Sequence, residues 1–507
     1  LSTKECAFRS YGADHLVCVC NISYCDSFTF VKPKPEEVAI IESSKAGSRF
    51  SVRSTAFKAG ADFPKHGWFE RFLDITINRE KKLQKIIGFG GAFTDSAAIN
   101  IKSLPEPLSE RLVRDYFSED GLEYNIGRVP IAGTDFSTHP YAYNEVEGDF
   151  NLTSFSLSEE DFKYKMPVIQ YAKNVSSREI LFFASAWSAP AWMKTNRKLH
   201  GFGRLRDDAG GIYYKTWANY LIKFLDAYKT HEIPFWGITT GNEPTTGFIP
   251  FYPFNNMGFS PKMQRDFIKN YLGPQLENAG YPPEKLKIIF LDDNLAFLPL
   301  YEGEVMKDDK AKNYVSGVGI HWYLNAISTR KLLDQFNSKY PDKFILATEA
   351  SNGFIKVLEK AVSLGDWHRG EAYAVDIIED LNHWASGWVD WNLALDTNGG
   401  PNWAGNTVDS PVIINATAEE YYKNPMFYVM GHFSKFISPS SVRLGFTEKR
   451  SFLNEALFTV FETPKNETVV VALNPTGADT NLNIKDRNRG LLSTKLRANS
   501  IVTIIWL

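Results

Sequence analysis

Polar and apolar positions alternate over residues 49–53 and 72–77, the two-residue period of strands with one face toward water. From about residue 86 the texture changes. Short apolar runs bounded by Gly, Pro, Asn or Asp now alternate with longer stretches whose apolar residues recur every three or four positions. The runs fall at 86–93, 127–132, 180–187, 235–243, 286–293, 315–323, 343–349 and 387–395, and helical stretches such as 212–231 and 261–279 separate many of them. Beyond about residue 440 the alternating pattern returns, at 458–461, 468–473 and 501–506, with Asn474-Pro475-Thr476-Gly477 marking a turn. Eight strands alternating with helices predict a (β/α)8 TIM barrel. A doubly wound open sheet is the competing layout, but Gly88-Phe89-Gly90-Gly91 lacks the spacing of a dinucleotide-binding turn. Neither β-rich flank has enough strands for a sandwich. The N- and C-terminal flanks are therefore expected to pair into one accessory β-sandwich domain, entered through the linker-like Lys32-Pro33-Lys34-Pro35.

Composition narrows the class. The 507 residues are 44% hydrophobic and 14% aromatic, which implies a packed globular protein. A net charge of −3 without long Lys/Arg runs gives no reason to expect nucleic acid or a polybasic membrane anchor. No apolar stretch approaches a membrane span. All four cysteines, Cys6, Cys18, Cys20 and Cys25, fall in the first 25 residues. Cys18-Val19-Cys20 is too tight for the usual zinc spacing, so two disulfides in a small N-terminal β region are expected, in any of three pairings. Sequons at Asn21, Asn151, Asn174, Asn415 and Asn466 agree with a secretory route and a glycoprotein. The chain opens at Leu1 without a charged and apolar leader, as expected if a signal peptide has been removed.

Two strand runs carry the chemistry. Phe235–Pro244 and Lys343–Ala350 each place a glutamate, Glu243 and Glu349, where a buried strand gives way to loop. In a parallel barrel that end holds the active site. A lone Glu is usually a cap or a surface residue, but two at matched strand ends can divide the work of glycoside cleavage. One protonates the departing oxygen while the other attacks the anomeric carbon or activates water.

Several long motifs occur in order. They include Cys18-Val19-Cys20-Asn21, Gly88-Phe89-Gly90-Gly91-Ala92-Phe93-Thr94-Asp95, Arg128-Val129-Pro130, Asn242-Glu243-Pro244, Thr348-Glu349-Ala350 and Asp390-Trp391-Asn392. With Gly399-Gly400-Pro401-Asn402-Trp403 and Gly431-His432-Phe433, they resemble glycoside hydrolase family 30, specifically its acid β-glucosidases, the glucosylceramidases. The resemblance runs end to end. It implies Glu243 as general acid/base and Glu349 as nucleophile, with their carboxyls about 5 Å apart and net retention through a glucosyl-enzyme. It implies that Asp95, Trp187, Asn242 and Trp391 line the glucose pocket, with Asn242 on the 2-hydroxyl. Arg128, His321 and Tyr323 would surround the two acids, and Tyr252 and Asn406 would lie at the rim. Asp135, after the second strand, reads either as an acid in or behind the pocket or as a loop cap.

The expected layout is a small disulfide-stapled β-sheet domain (1–29 and 393–424), a β-sandwich (30–83 and 441–507) and the barrel (84–392 and 425–440). Implied partners are glucosylceramide or a related β-glucoside, an anionic lipid surface, a saposin-type activator and a lysosomal delivery receptor. The implied setting is the lysosomal lumen, and no metal or organic cofactor is expected. Thr134 stands where mammalian members carry Cys, Gly241 replaces an acidic residue, and the loops after Glu349 and Trp403 depart from the family pattern. The resemblance therefore carries the glucose side of the pocket and leaves the aglycone side open. A β-xyloside or a non-sphingolipid β-glucoside cleaved by the same mechanism is the nearest alternative. A non-catalytic carbohydrate-binding barrel is the other.

Overall fold

In a computed structural model that describes residues 3–207 and 210–507, eight parallel strands close into a barrel. In chain order they are Gly88–Ala92, Ile126–Ile131, Leu181–Ala186, Gly237–Thr239, Lys287–Asn294, Val315–His321, Phe344–Glu349 and Ala385–Asn392. Each pairs with its neighbour in sequence, and the last pairs with the first. Ile126, Phe183, Ile289, Leu346 and Val389 fill the interior as one buried cluster. The glycine-rich first strand is a packing device: a Cβ on Gly90 would come within 1.8 Å of the Ile126 carbonyl. Its two glycines after Phe89 allow the strand to lie against its neighbour rather than around a phosphate.

Helices cover the barrel as the period suggested. Ile212–Thr230 is a single helix with Trp217, Leu221, Phe224 and Leu225 on its buried face. The helical run predicted at 261–279 is observed as Pro261–Phe267, Ile268–Leu272 and Gly273–Asn278, continuous but with a wide π-turn in the middle. One predicted strand is much shorter than its apolar run. The run 235–243 pairs only over Gly237–Thr239, because Gly241 at φ 138° and Glu243 at φ 43° turn the chain out of the ladder.

The flanks join as expected. Three strands before the barrel (Val38–Ser44, Ser51–Thr55, Phe72–Lys85) and six after it form a nine-stranded sheet. The sheet folds over a common core that includes Ile40, Ile75, Leu444, Val460, Ile484 and Trp506. Its outermost strands meet where Arg53 Nη1 donates to Thr494 Oγ1 at 2.7 Å. The helix Pro425–Ser434, apolar on every side and buried at all ten positions, wedges between barrel and sandwich. There His432 bridges Thr503 Oγ1 at 2.8 Å and Ser43 Oγ at 2.9 Å, and burial pushes its imidazole down to about 3.

The N-terminal segment forms a third element. Phe8–Ser10 and Leu16–Cys20 pair with Glu420–Lys423, Val412–Asn415 and Leu395–Asp396 in a five-stranded sheet. The disulfides are Cys6–Cys18 and Cys20–Cys25, which selects one of the three possible pairings. Among the described residues, no helix is long and apolar enough to cross a membrane.

Candidate active site

The C-terminal ends of the barrel strands converge on a cavity of about 330 Å3, near the lower end of the usual size of small-molecule sites. Trp187, Asn242, Glu243, Tyr323, Glu349 and Trp391 line it, and Asp135, Tyr252 and Asn406 lie on its wall. The strand ends are irregular in the way active sites often are. Ala132, Glu243, Leu291 and Asp292 all have left-handed backbone, at φ 64°, 43°, 68° and 52°.

Glu349 closes the seventh strand and is buried. Its Oε1 accepts from the Tyr323 hydroxyl at 2.7 Å, and its Oε2 accepts from Arg128 Nη1. With a donor on each oxygen the side chain is held as an acceptor-only carboxylate. Burial pushes its carboxyl up, His321 and Arg128 pull it back, and Glu243 adds to the rise. Arg128, fully enclosed, faces Trp187 and Trp391 at 5.0 and 5.4 Å from their ring centres. Those two rings stack at 5.1 Å and 15°. Arg128 Nη2 also donates to Asn242 Oδ1 at 2.9 Å, which leaves the amide nitrogen of this cavity-lining side chain as its donor end, free among the described residues.

Glu243 reaches the same cavity from the opposite side. A left-handed turn swings it in just before the short helix Pro244–Phe248, and its main-chain N–H donates to the Asp292 carbonyl at 2.9 Å. His321 Nδ1 lies 2.9 Å from Glu243 Oε1, while Oε2 has no partner among the described residues. Oxygens of Glu243 and Glu349 and a nitrogen of His321 all fall within 4.8 Å of one another. Such a trio can resemble a metal site. Here, however, Arg128 and Tyr323 occupy the Glu349 oxygens, and Asp292 and Glu243 occupy the two ring nitrogens. The arrangement is a pair of carboxyls held by cations. One oxygen of Glu243 lies within 4.8 Å of one oxygen of Glu349, a close approach of the kind two carboxyls need to act on the same glycosidic bond.

Asp95 does not line the cavity. It opens the helix Asp95–Ser103, where Ser137 and Tyr141 donate to Oδ2 at 2.6 and 2.7 Å and Lys165 Nζ lies 3.1 Å from Oδ1. Lying behind the wall, it is already fully partnered. The wall position belongs to Asp135, which accepts from Asn406 Nδ2 at 2.9 Å and Asn402 Nδ2 at 3.2 Å. Burial pushes its carboxyl up to about 7. Asp292 carries no reading from the sequence, yet it is the most heavily bonded carboxylate of the site. The signal was present: Asp292 and Asp293 lie near the carboxyl end of the fifth strand, as Glu349 lies at that of the seventh. Burial alone would push the Asp292 carboxyl up, but Arg128 and His321 more than offset it and hold it well below the usual range.

Comparison with known proteins bears on this geometry. Residues 86–437 match the glycosyl hydrolase family 30 TIM-barrel domain, and residues 440–504 match the family's beta sandwich domain. The chain is 42% identical over 505 residues to the lysosomal acid glucosylceramidase of Mus musculus, covering 99% of this chain and 96% of the mouse protein. The crystal structure of SrfJ from Salmonella typhimurium superposes with a TM-score of 0.83 at 25% identity, over 93% of this chain and 99% of SrfJ. An endo-β1,6-glucanase structure superposes with a TM-score of 0.78 at 25% identity, with the same coverage of both chains.

Proposed function

The chain belongs to glycosyl hydrolase family 30, and from that premise we propose that it is a retaining β-glucosidase that hydrolyses glucosylceramide to glucose and ceramide. The observation that carries the mechanism is the close approach of Glu243 and Glu349 across one cavity. Glu349 attacks the anomeric carbon as Glu243 Oε2 gives its proton to the departing oxygen. Water, deprotonated by Glu243, then releases glucose from Glu349, and the anomeric configuration is retained. Arg128 and Tyr323 keep the nucleophile ionised and aimed. Asn242 offers its amide N–H to the sugar 2-hydroxyl. The stacked Trp187 and Trp391 face C–H surface, and Asp135 with Asn406 presents polar atoms to the remaining hydroxyls.

The aglycone leaves through an apolar mouth. Ile249, Phe297, Leu324 and Phe354 line the outer cavity, and the same loops run on to Phe251, Val357 and Leu358, exposed at 96, 91 and 80%. Such a rim suits a substrate drawn from a lipid surface. The relationship to the mouse lysosomal enzyme supports a lysosomal setting, and with it an anionic membrane, a saposin-type activator and a delivery receptor. The test compares hydrolysis of glucosylceramide and of an aryl β-glucoside, with and without anionic vesicles, by wild type and Glu349→Gln. Turnover of both substrates by wild type alone, with the lipid substrate stimulated by the vesicles, is expected. Turnover of the aryl glucoside only would move the natural substrate elsewhere, and turnover of neither would leave a sugar-binding barrel.

A further inference from the structure

Neither cation at the site is held by the two reacting carboxyls alone. Both are anchored on Asp292, which has no solvent exposure. Asp292 Oδ1 accepts from His321 Nε2 at 2.9 Å and Thr348 Oγ1 at 2.8 Å. Its Oδ2 accepts from Arg128 Nη2 at 2.9 Å, Thr239 Oγ1 at 2.8 Å and Ser185 Oγ at 3.1 Å. The far ends of those cations meet the reacting groups, His321 at Glu243 Oε1 and Arg128 at Glu349 Oε2. Asp292 therefore stands one cation away from each. The fold bends to put it there. Leu291 and Asp292 are consecutive left-handed residues, and the strand slips register against its neighbour between Leu291 and Asp293.

The chemistry of the ring makes this placement consequential. Asp292 as a carboxylate can only accept, so His321 Nε2 carries a proton. The open question is Nδ1. If it is bare, it accepts the Glu243 proton and points that proton at the ring, away from any leaving group. If it is protonated, it donates to Glu243 Oε1, and the acidic proton of Glu243 sits on Oε2, the oxygen without a protein partner.

We propose that Asp292 is a positioning residue that keeps His321 doubly protonated, so that the proton Glu243 transfers is carried on the oxygen facing the cavity. The proposal rests on the reading of Glu243 as general acid. Through the reaction His321 keeps both its protons. In the first step the Glu243 Oε2 proton passes to the glycosidic oxygen as that bond breaks and the bond to Glu349 forms. In the second step the Glu243 carboxylate takes a proton from water. The groups around the ring agree. Burial would push His321 down, but Glu349 and Asp292, joined by Glu243 when that group is ionised, raise it to about 10. Formal charges balance as well: Arg128 and His321 offset Asp292 and Glu349, so a protonated Glu243 leaves the cluster neutral.

The test is ring-nitrogen NMR of 15N-histidine protein over about pH 5 to 8, where an ordinary His changes charge. His321→Gln serves only to assign the signal among the nine histidines. In wild type the His321 ring is expected to stay doubly protonated throughout. In Asp292→Asn it should lose a proton within that range, and kcat on an alkyl glucoside should then fall with rising pH about tenfold more than kcat on a dinitrophenyl glucoside, which needs little protonation. A neutral His321 in wild type at pH near 6 would overturn the proposal. So would an Asp292→Asn variant with the ring still charged and activity lowered equally on both glucosides at every pH, since that is the mark of structural support alone. If Asp292→Asn does not fold, the wild-type spectrum still decides. Because the spectrum needs no turnover, it also separates failure of this proposal from failure of the glucosidase reading.

Discussion

At the residue scale the site works by giving two identical side chains different partners. Glu349 has a guanidinium and a phenol on its two oxygens, whereas Glu243 has one oxygen on His321 and the other without a partner among the described residues. Removing each charge should therefore fail differently. Glu349→Gln is expected to lower kcat by about 10^4-fold or more on every glucoside, since no bond to C1 can form. Glu243→Gln should lose about 10^2–10^4-fold on alkyl glucosides and much less on dinitrophenyl glucoside. Steady-state rates on both substrates check this, and equal losses would contradict the division of labour.

A second residue-scale expectation concerns pH. Asp135 has a folded value of about 7, above the ~3.9 of an unfolded Asp, so folding tightens its hold on a proton. Its contribution is fully present below the unfolded value and is lost as pH rises toward 7. Asp135→Asn should flatten the fall in unfolding free energy between about pH 4 and 7 by up to about 4 kcal/mol, measured by urea denaturation at several pH values. An unchanged slope would mean that Asp135 is ionised in the folded protein.

At the element scale, what was legible and what was not have physical causes. Short apolar runs marked all eight barrel strands, because a strand buried on both faces has little freedom in composition. Backbone turns left weaker traces. The run through Phe235 and Trp236 reads as a nine-residue strand, yet pairing stops at Thr239 because Gly241 and Glu243 leave the ladder. Gly241 departs from the family pattern at a position whose φ of 138° only glycine adopts readily. Gly241→Ala should destabilise the protein by about 1–3 kcal/mol and lower kcat by displacing Glu243, with KM on an aryl glucoside changed less. Wild-type kcat in that variant would show that the turn does not aim the acid. Disulfide pairing was equally hidden, since it depends on how the strand Leu16–Cys20 pairs back on Phe8–Ser10 and brings Cys6 to Cys18. Cys18→Ser opens a loop of 12 residues and should cost about 2–3 kcal/mol, read from thermal unfolding.

At the scale of the whole molecule, the barrel supplies a ring of strand ends, and the two β elements brace it from outside. The flanking strands were legible as fragments. That the flanks combine follows from neither having enough strands alone, whereas the strand order that joins three from one end and six from the other in a single sheet is a long-range fact. Asp95 and Asp135 show the same limit within the site. Both follow strand ends, and only the placement of Lys165 under one and of Asn402 and Asn406 beside the other separates the acid behind the wall from the acid in it. Asp292 went unread because its importance lies in two cations brought by other strands, Arg128 on the second and His321 on the sixth. The central claim, retention through a glucosyl group on Glu349, is open to direct trapping. Wild-type enzyme treated with a 2-deoxy-2-fluoro-β-glucosyl fluoride and examined by peptide mass spectrometry should carry one fluoroglucosyl group, on Glu349, with Glu349→Gln unlabelled. A label on another residue, or α-glucose as the first product from a β-glucoside, would contradict the account.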